Sequence, residues 1–478
     1  MASDAASRRS PPHNTVAILM VPFPLQGHLN QLLHLSRLIS ARGLPVHFAA
    51  APSHSRQARL RATTTAHDHH DSTITFHEIP SLPYSSPPPD PNSTTRFPTH
   101  LQPLIEATSS LREPVAEILR DLCAANRRVV VVHDSMMGFV VQDFVRYQNA
   151  EAYTFHSVSA YAIFLFLWES AGRPFDLPAD LLQEKDIPSL DGCFSPEFGS
   201  FVQTQHEFIK LNSGRVYNTC RAVEGPFMEL IERAEISGGK QQWALGPFNP
   251  IGNSERTGVI SPGSRHACLK WLDGLESGSV VLVSFGTTTT FPRKQIHELA
   301  IGLENSGQKF VWVLRDADVG DGVITKHDDD IIALPEGFEG RVEGRGLVVR
   351  EWTPQVEILG HEAVGGFVSH CGWNSCMESI SMGVAMGAWP MHSDQPRNAV
   401  LVTKVLGVGI TVREWARRDE IVGAREVEQG VRRLMGPGEG AEVRRRAAEL
   451  GRAVREAAAE DGGPMRLEWD SFISHIIR

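Results

Sequence analysis

The chain has 478 residues, of which 41% are hydrophobic and 21% are charged, and its formal net charge is −10. A single hydrophobic core stops growing at about 250–300 residues, so this length predicts two domains. The negative charge, without a strong basic block, argues against nucleic acid as a partner.

Cysteine usage and the apolar runs indicate the compartment. The six cysteines are scattered and include no CxxC pair, which fits a reducing compartment. The N-terminus imitates a signal peptide, but Pro22 and Pro24 interrupt its apolar run and no small-residue cleavage site follows. The longest other apolar run, 161–168, is far shorter than the ~20 residues of a membrane span. We therefore expect a cytoplasmic protein without a membrane span.

The chain begins with a β-loop-α-β pattern. After a polar stretch, 1–14, which we expect to be disordered, residues 16–21 predict a buried strand, and the leucine-rich spacing of 29–39 predicts a helix with one apolar face. Residues 46–51 predict the next strand. This is the start of a doubly wound α/β domain, in which ligands lie beyond the carboxyl ends of the strands. His28 follows the first strand and lies at such an end.

Two insertions follow the second strand. The stretch 66–71 contains three histidines and two aspartates, but ligands at adjacent positions rarely converge on one metal, so we expect an exposed loop there. Residues 83–98 are rich in proline and carry no core-forming pattern. They predict a flexible loop.

A run of four valines, 129–132, ends in His133 and Asp134. Such a run must be buried, so its polar end faces the ligand edge of the sheet. Asp134 is therefore a natural partner for His28. Spacing alone equally favours a structural role, in which Asp134 caps a helix over 135–147.

The rest of the first half alternates apolar and proline-rich segments. Residues 153–168 are rich in aromatic side chains, and prolines between 177 and 209 predict a lid of loops and short helices. A strand at 216–219 and a helix at 225–234 follow. Gly, Pro, Asn and Ser are enriched over 248–264, which predicts a linker.

The second half repeats the α/β alternation. Residues 279–284 predict a strand, and 285–289 form a turn before a helix at 293–302, which suggests a phosphate-facing turn. Three consecutive aspartates, Asp328 to Asp330, fall in a stretch that we expect to be a solvated loop rather than a metal site. The predicted organisation is a disordered N-terminus (1–14), a first Rossmann-like domain (15–247), a linker (248–264), a second Rossmann-like domain (265–460) and a tail helix packing back on the first domain (461–478).

The clearest chemical signal is a strand, turn and helix between 365 and 383. Residues 365–369 predict a buried strand, 370–375 a tight polar turn, and 376–382 a helix closed by Gly383. The free N–H groups of the first helical turn point to one spot, where the helix dipole also favours an anion. The sequence therefore predicts a bound phosphate or diphosphate.

The stretch from Trp352 to Gln395 resembles the signature of plant family 1 UDP-sugar-dependent glycosyltransferases, which have the GT-B fold of two Rossmann-like domains facing across a cleft. The resemblance implies that the first domain, 15–247, binds the acceptor and that the second, 265–460, binds the UDP-sugar. The resemblance implies that Trp352 stacks on uracil, that Gln355 binds its edge and that Glu378 binds the ribose hydroxyls. It also implies that His370, Asn374 and Ser375 hold the diphosphate and that Asp394 and Gln395 hold the sugar. The whole implied UDP-sugar site comprises Ser284, Thr287, Trp352, Thr353, Gln355, His370, Gly372, Trp373, Asn374, Ser375, Glu378, Asp394 and Gln395.

The same resemblance favours a catalytic role for His28 and Asp134. His28 would be the general base that deprotonates an acceptor hydroxyl, and Asp134 would orient it. Displacement from the α-linked UDP-sugar would invert to a β-glycoside. The implied partners are UDP-glucose and a small-molecule acceptor, with no cofactor and no metal, in a monomeric enzyme.

Segments at both ends of the chain, among them VPFPLQGHLNQLLHLSRL and HCGWNSCMESISMG, are most similar to zeatin O-glucosyltransferases. This similarity implies a zeatin-type cytokinin as acceptor. Flavonoids and other phenols, linked at oxygen or carbon, stay open as alternatives, and so does UDP-xylose as donor. The predicted acceptor pocket comprises His54, Phe155, His156 and Tyr161.

Two other classes of protein compete with this interpretation. A dinucleotide oxidoreductase would share the architecture, but the turn after the first strand reads PFPLQGH, so the GxGxxG fingerprint is absent. A non-catalytic sugar-nucleotide-binding protein would keep the stretch 352–395 and could lose His28 and Asp134. Both His28 and Asp134 are present, which favours an enzyme.

Overall fold

The structure is a computed structural model, and it describes residues 15–64, 74–87, 96–251, 265–315, 334–459 and 462–478. Four of the predictions concern residues that lie wholly or largely outside these ranges. They concern the N-terminal stretch 1–14, the histidine-rich stretch 66–71, most of the linker 248–264, and the aspartates at 328–330.

A parallel sheet of seven strands forms the first domain within the described residues, in the order β3-β2-β1-β4-β5-β6-β7. Its strands are β1 Val16–Val21, β2 Val46–Ala50, β3 Ile74–Glu78, β4 Arg128–Asp134, β5 Ala150–His156, β6 Gly214–Tyr217 and β7 Gln241–Ala244. The helices of this half are α1 Gln26–Ser40, α2 Pro52–Thr64, α3 Gln102–Ala107, α4 Arg112–Ala125, α5 Gly138–Val141, α6 Ala160–Ser170, α7 Pro196–Ile209, α8 Arg221–Glu232 and α9 Ala234–Ser237.

A second parallel sheet, with six strands among the described residues, runs in the order β10-β9-β8-β11-β12-β13. Its strands are β8 Val280–Ser284, β9 Lys309–Val313, β10 Gly346–Val349, β11 Val364–Ser369, β12 Ala385–Ala388 and β13 Gly409–Thr411. The helices of this half are α10 Ala267–Leu272, α11 Arg293–Ser306, α12 Phe338–Arg341, α13 Gln355–Leu359, α14 Trp373–Met382, α15 Gln395–Val400, α16 Ala424–Met435, α17 Glu439–Ala457 and α18 Pro464–Ile477.

The continuous apolar strands reflect burial on both faces of each sheet. In β1, Ile18 and Met20 pack into a core with helices α1 and α18, while Leu19 and Val21 pack into a second core with α4. Because both faces are covered, every position of such a strand must be apolar, as in parallel sheets generally. The structure confirms the predicted class of two doubly wound α/β units.

The strand order places both candidate half-sites at equivalent points. The chain leaves β1 toward β2 and β3 on one side and returns with β4 on the other, and it does the same around β8 and β11. Open α/β sheets bind ligands at this point, beyond the carboxyl ends of the two central strands. In the first sheet these ends lead to His28 and Asp134, and in the second they lead to Ser284 and the turn at 370–375.

Two local predictions were wrong. The prolines between 177 and 209 do not prevent a long helix, because Pro196 occupies the first turn of the 14-residue helix α7, where a proline N–H is not needed. The Ser195 hydroxyl accepts a hydrogen bond from Phe198 N and caps it. The predicted helix over 135–147 is instead a series of short pieces, of which α5 has four residues.

The C-terminal helix α18 packs against the first sheet. Trp469 donates from Nε1 to the carbonyl oxygen of Leu245 at 3.1 Å, directly after β7. Phe472 and Ile476 of the same helix are fully buried in the core that contains β1 and α1. The last segment of the chain therefore contributes to the hydrophobic core of its first half.

Candidate active site

Three neighbouring strands of the first sheet deliver a histidine, a carboxylate and a hydroxyl to one point. His28 lies in the first turn of α1, and its Nδ1 is 2.8 Å from Asp134 Oδ2 at the end of β4. Ser157, directly after β5, places its Oγ 2.8 Å from the same nitrogen. Because Nδ1 faces two oxygen atoms, the favoured neutral tautomer carries its proton on Nδ1. Nε2 is then left as a proton acceptor.

Electrostatics at His28 reflect two opposing effects. Burial lowers the pKa of His28, but the Asp134 carboxylate raises it by its charge and its hydrogen bond, and the charge of Asp394 raises it further. The net pKa lies above the ordinary 6.5. This environment stabilises the imidazolium that forms when Nε2 takes up a proton.

Asp134 fulfils both of the roles that its position in the sequence left open. It is fully buried, and while Oδ2 contacts His28, Oδ1 accepts a hydrogen bond of 2.9 Å from Met136 N. The preceding His133 donates from Nδ1 to the Asp134 carbonyl oxygen, and burial lowers the pKa of His133 to about 4. Capping the turn thus fixes the carboxylate in the orientation that contacts His28.

In the second domain, His370 lies in a narrow slot between two glycines. A Cβ atom added at Gly286 or at Gly372 would come within 2.7 Å or 2.4 Å of His370 Nε2, so both positions require glycine. Burial lowers the pKa of His370 to about 4, which keeps the ring neutral. Cys371 follows with a φ of +64°, and this turn leads into α14, whose first-turn N–H groups have no partner within the helix.

The predicted base and ribose ligands form a connected group at the edge of this turn. Trp352 is 63% exposed, which leaves its ring face free to stack on a planar group. Gln355 Nε2 donates to Glu378 Oε2 at 2.7 Å and to Ser375 Oγ at 3.1 Å. Burial raises the pKa of Glu378 to about 7, while the hydrogen bond from Gln355 lowers it. Thr353 is buried beside Trp352.

Asp394 and Gln395, at the end of the stretch 352–395, are held by hydrogen bonds to backbone and side-chain atoms. Gln395 Oε1 accepts from the backbone nitrogens of Met391 and His392 at 2.9 and 3.0 Å. Asn398 Nδ2 donates to Asp394 Oδ2 at 2.7 Å. Burial raises the pKa of Asp394, and the Asn398 bond opposes this rise.

The turn after β8 provides the remaining predicted donor-site residues. Ser284 ends β8 beside Ser369 of β11, and Thr287 is half-buried two residues beyond Phe285. The next residue, Thr288, places Oγ1 3.4 Å from His392 Nε2. The close approach of Gly286 to His370 shows that this turn also lies against the turn at 370–375.

Direct hydrogen bonds join the two half-sites across the cleft. Asn374 Nδ2 donates to the carbonyl oxygen of Gly27 at 2.8 Å, next to His28. Trp373 Nε1 donates to the carbonyl oxygen of Asn218 at 2.9 Å. The first bond brings the first turn of α14 against the first turn of α1, and the second joins α14 to the end of β6. The turn at 370–375 and His28 therefore lie next to each other.

A further contact across the cleft fixes Asp394. Ser159 Oγ, at the N-cap of α6, donates to Asn398 Oδ1 at 2.7 Å, while Asn398 Nδ2 also donates to the carbonyl oxygen of Cys371 at 2.9 Å. Asn398 is fully buried. Its amide therefore links Ser159 and Cys371 to Asp394.

Sequence reasoning missed Ser157 and Asn398. Ser157 had a usable signal, because it follows a buried strand that neighbours β4 and so lies at the same edge as Asp134. Asn398 had none, since its function depends on Ser159, which is 239 positions away in the chain.

The predicted acceptor pocket needs correction. Phe155 and Tyr161 are fully buried, with their rings packed against Phe248 and Phe227, respectively, so they present no surface to a ligand. His156 is buried and stacks on Tyr217 at 5.1 Å, and His54 is also buried. The sequence pattern could not separate aromatic core positions from cleft positions, because both are apolar.

Two features are absent from the described residues. Within these residues, no group of three or more His, Cys, Asp or Glu side chains could hold a metal ion. None of the described helices combines the length and apolar character needed to cross a membrane. All six cysteines are buried free thiols.

Comparison with known proteins identifies the family. A family model described as "Glycosyltransferase, N-terminal domain" matches residues 14–250, and one described as "UDP-glucoronosyl and UDP-glucosyl transferase" matches residues 203–427. The chain is 50% identical to a zeatin O-glucosyltransferase from Phaseolus lunatus, with 99% of each chain covered. It is 49% identical to a zeatin O-xylosyltransferase from Phaseolus vulgaris, with 97% of this chain and 98% of the relative covered.

Solved structures agree with this assignment. A transferase from Siraitia grosvenorii in complex with UDP is 26% identical, with a TM-score of 0.76 and coverage of 97% of this chain and 100% of the other. A UDP-glucosyltransferase from Polygonum tinctorium is 27% identical, with a TM-score of 0.75 and coverage of 97% and 99%. The predicted GT-B fold and the predicted enzyme class are both confirmed. The chain is a member of the UDP-glycosyltransferase family and uses a UDP-sugar as donor.

Proposed function

We propose that the protein transfers glucose from UDP-glucose to a hydroxyl group of a zeatin-type cytokinin, with inversion at the anomeric carbon. The observation that carries this proposal is the placement of His28, oriented by Asp134, beside the turn that begins α14. A proton acceptor and an anion-binding helix terminus on opposite sides of one cleft suit the displacement of a diphosphate by a hydroxyl.

Deprotonation of the acceptor accompanies its attack on the anomeric carbon. Because Nδ1 of His28 faces Asp134 and Ser157, Nε2 can take the proton of the acceptor hydroxyl as its oxygen forms the bond to the anomeric carbon. The imidazolium that results is stabilised by the buried Asp134 carboxylate. This role matches the logic of an oriented base.

UDP departs in the same displacement. The bond between the anomeric carbon and the diphosphate oxygen breaks, and its electron pair leaves with UDP. The stretch 352–395 contains no lysine or arginine, so the developing negative charge would be met by the N-terminus of α14 and by the side chains of Asn374 and Ser375. We propose that these donors suffice without a metal.

The donor is held at both ends in this proposal. Trp352 would stack on the uracil, Gln355 would bind its edge and Glu378 would accept the ribose hydroxyls. Asp394 and Gln395 would bind the sugar hydroxyls at the other end. The exposed face of Trp352 and the preformed bonds of Gln355 and Asn398 support this assignment.

Glucose and xylose are the two donor sugars that the relatives support. The zeatin O-glucosyltransferase and the zeatin O-xylosyltransferase match this chain almost equally, at 50% and 49% identity. We propose glucose, because the pair Asp394 and Gln395 suits the hydroxyls of a hexose. Competition between UDP-glucose and UDP-xylose, followed by mass spectrometry of the product, distinguishes them.

The experiment that tests the proposal is transfer to trans-zeatin by wild-type protein and by His28→Ala. The wild type should form a zeatin O-glucoside, and the variant should lose transfer while its affinity for UDP-glucose stays nearly unchanged. Unchanged turnover in the variant would refute the role of His28 as the base. Binding of UDP-glucose without transfer to cytokinins, flavonols or other phenols would favour a non-catalytic sugar-nucleotide-binding protein.

The compartment is part of the same proposal. All six cysteines are free thiols, although the chain offers enough of them for three disulfides. Free thiols in this number are typical of a reducing environment. We propose the cytoplasm as the site of action, and imaging of a fluorescent fusion in plant cells would test it.

A further inference from the structure

A fully buried carboxylate that the proposed mechanism does not use lies between α8 and α6 of the first domain. It belongs to Glu224, near the start of α8. Its Oε2 accepts from the backbone nitrogen of Ala160 at 3.0 Å, and its Oε1 accepts from that of Tyr161 at 2.8 Å. Both nitrogens belong to the first turn of α6, whose N–H groups have no partner within the helix. Glu224 therefore binds the N-terminus of α6 with both of its oxygen atoms.

The surroundings of Glu224 indicate how firmly it is held. Burial raises the pKa of Glu224 to about 7, and hydrogen bonds, led by the one from Tyr161 N, oppose this rise. A buried carboxylate is unfavourable unless hydrogen-bond donors and the positive end of a helix dipole replace its lost hydration. The backbone leaves helical geometry at Glu224, with φ −124° and ψ 25°, where its carboxylate reaches α6. These contacts fix the first turn of α6 relative to α8.

Ser159, the N-cap of α6, extends this contact to the second domain. Its Oγ accepts from Ala162 N at 3.1 Å, so it satisfies a further N–H group of the first turn. The hydroxyl hydrogen is donated across the cleft to Asn398 Oδ1 at 2.7 Å. Ser159 is fully buried, and its hydroxyl is engaged both as donor and as acceptor. The first turn of α6 therefore determines where Asn398 Oδ1 must lie.

Asn398 links this hydroxyl to Asp394. Because Oδ1 of Asn398 faces Ser159, its Nδ2 faces the other way and donates to Asp394 Oδ2 at 2.7 Å and to the carbonyl oxygen of Cys371 at 2.9 Å. A reversed amide would place its oxygen against a carboxylate oxygen, and two acceptors repel each other. Asp394 itself is only partly buried. The series of bonds therefore leads from a fully buried carboxylate in the first domain to one in the second domain that a ligand can reach.

We propose that Glu224, Ser159 and Asn398 are positioning residues that orient Asp394 toward the sugar of the donor. We call these three residues the cross-domain relay. Residues of the first domain thereby set the preference of the second domain for UDP-glucose over UDP. Each member acts through Asp394 rather than on the donor itself. The proposal deepens the proposed function and rests on it, because it requires Asp394 to bind the sugar hydroxyls.

The test compares the affinities for UDP-glucose and for UDP by calorimetry, since only the first ligand carries the sugar. Ser159→Ala removes the hydroxyl that holds Asn398 Oδ1. Glu224→Gln replaces one accepting oxygen with an NH2 group that faces an N–H group of α6. Each variant should lower the ratio of the two affinities by about 3- to 10-fold, the range expected for one hydrogen bond, while the affinity for UDP stays within about twofold. An equal loss for both ligands, or no loss in Ser159→Ala, would overturn the relay.

The double variant shows whether Glu224 acts through Ser159. If it does, Glu224→Gln adds nothing once the hydroxyl is absent, so the double variant should lose no more than the more affected single variant. Losses that multiply would show that Glu224 acts independently and would contradict the relay. Ser159→Ala is the milder change, and its affinity ratio decides the proposal if Glu224→Gln fails to fold.

The matched control is Asp186→Asn. Asp186 pairs with Lys404 at 2.5 Å, so this contact also joins the two domains, but it lies outside the relay. The affinity ratio of the control should stay at the value of the wild type. A loss equal to that of Ser159→Ala would mean that weakening any contact between the domains has this effect, and the relay would be rejected.

Asp394→Ala distinguishes failure of the relay from failure of the proposed function. A loss of the affinity ratio in Asp394→Ala without a loss in Ser159→Ala would refute the relay and leave the sugar site intact. An unchanged ratio in Asp394→Ala would refute the proposed sugar site. A loss in Ser159→Ala would then contradict action through Asp394, so the relay would fall as well. None of these measurements requires an acceptor, so they hold whichever acceptor the enzyme uses.

Discussion

Replacing Asp134 with asparagine is the sharpest test of the proposed chemistry, because it removes the charge but not the shape. In the native protein, Asp134 Oδ2 accepts from His28 Nδ1 at 2.8 Å and Oδ1 accepts from Met136 N at 2.9 Å. An asparagine would keep its single oxygen on Met136 N and turn its NH2 group toward His28. Nδ1 would then act as the acceptor, and Nε2 would carry the proton.

The expected loss follows from this change of tautomer. A protonated Nε2 cannot take the proton of the acceptor hydroxyl, so Asp134→Asn should lose most of the contribution of a general base, about 10²- to 10⁴-fold in kcat. At 1.36 kcal/mol per factor of ten, this is about 3–5 kcal/mol of transition-state stabilisation. The affinity for UDP should not change, because Asp134 lies at the end of the first sheet.

The pH dependence of kcat/KM provides a second, independent test. The base must be neutral, so kcat/KM rises with pH through the pKa of His28, which lies above 6.5 in the native protein. In Asp134→Asn the raising effect of the carboxylate is gone, while the lowering effect of burial stays. The acid limb of the profile should therefore move to lower pH.

Initial rates of zeatin glucoside formation between pH 5 and pH 9 would provide both readouts. The matched control is Asp143→Asn, which changes another buried carboxylate of the first domain, one that pairs with Arg112 at 2.9 Å. Its acid limb should not move. The reasoning would be refuted by an Asp134→Asn variant that keeps kcat within threefold of the wild type, or whose acid limb stays in place.

Three further predictions concern the donor site and the fold. Trp352→Ala should weaken UDP binding by about 5- to 150-fold in calorimetry, the value of one base–aromatic stack, without changing the Tm, because this side chain is 63% exposed. Since burial raises the pKa of Glu378 to about 7, its carboxylate should be mostly protonated at pH 6 and ionised at pH 8. UDP should therefore bind about tenfold more tightly at pH 8, and Glu378→Gln should remove the dependence that this side chain causes. Trp469→Ala should lower the free energy of unfolding by about 3–5 kcal/mol in urea titrations, because it empties a buried site and breaks the bond to Leu245 O.

Controls follow from the same contacts. Trp352→Phe should restore part of the UDP affinity, and an alanine variant with unchanged affinity would exclude the stacking role. A pH dependence that persists in full in Glu378→Gln would assign it to UDP itself rather than to this carboxylate. Trp469→Phe should recover part of the lost stability, and a loss of under 1 kcal/mol in the alanine variant would show that α18 contributes little to the core.

The amino-acid sequence by itself determined the fold class and the family. Buried parallel strands such as β1 and β4 are apolar throughout because both faces are covered, and this pattern is visible in a single sequence. The pairing of His28 with Asp134, 106 positions apart, was also predictable. Carboxyl ends of adjacent parallel strands must lie at one edge, so a polar residue at each end predicts a contact.

Rules of local secondary structure were ambiguous at residues that can satisfy more than one of them. Proline ends a helix in its interior but begins one in its first turn, and only the hydrogen bond from Phe198 N to Ser195 Oγ shows which applies at Pro196. The sequence allowed two interpretations of Asp134, as the partner of His28 and as a cap of the following turn. Both apply, because its two carboxylate oxygens contact different partners.

The burial of individual aromatic residues and the contacts across the cleft were decided only by the tertiary structure. Phe155 and Phe198 look alike in the sequence, yet Phe155 is buried against Phe248, whereas Phe198 is half-buried beside Phe97. The bonds from Asn374 to Gly27 and from Ser159 to Asn398 join residues 347 and 239 positions apart. The packing of the two sheets and their helices against each other determines such contacts, and no local sequence pattern encodes it. The physical reason is that hydrophobic burial depends on composition along each element, whereas recognition depends on which elements meet.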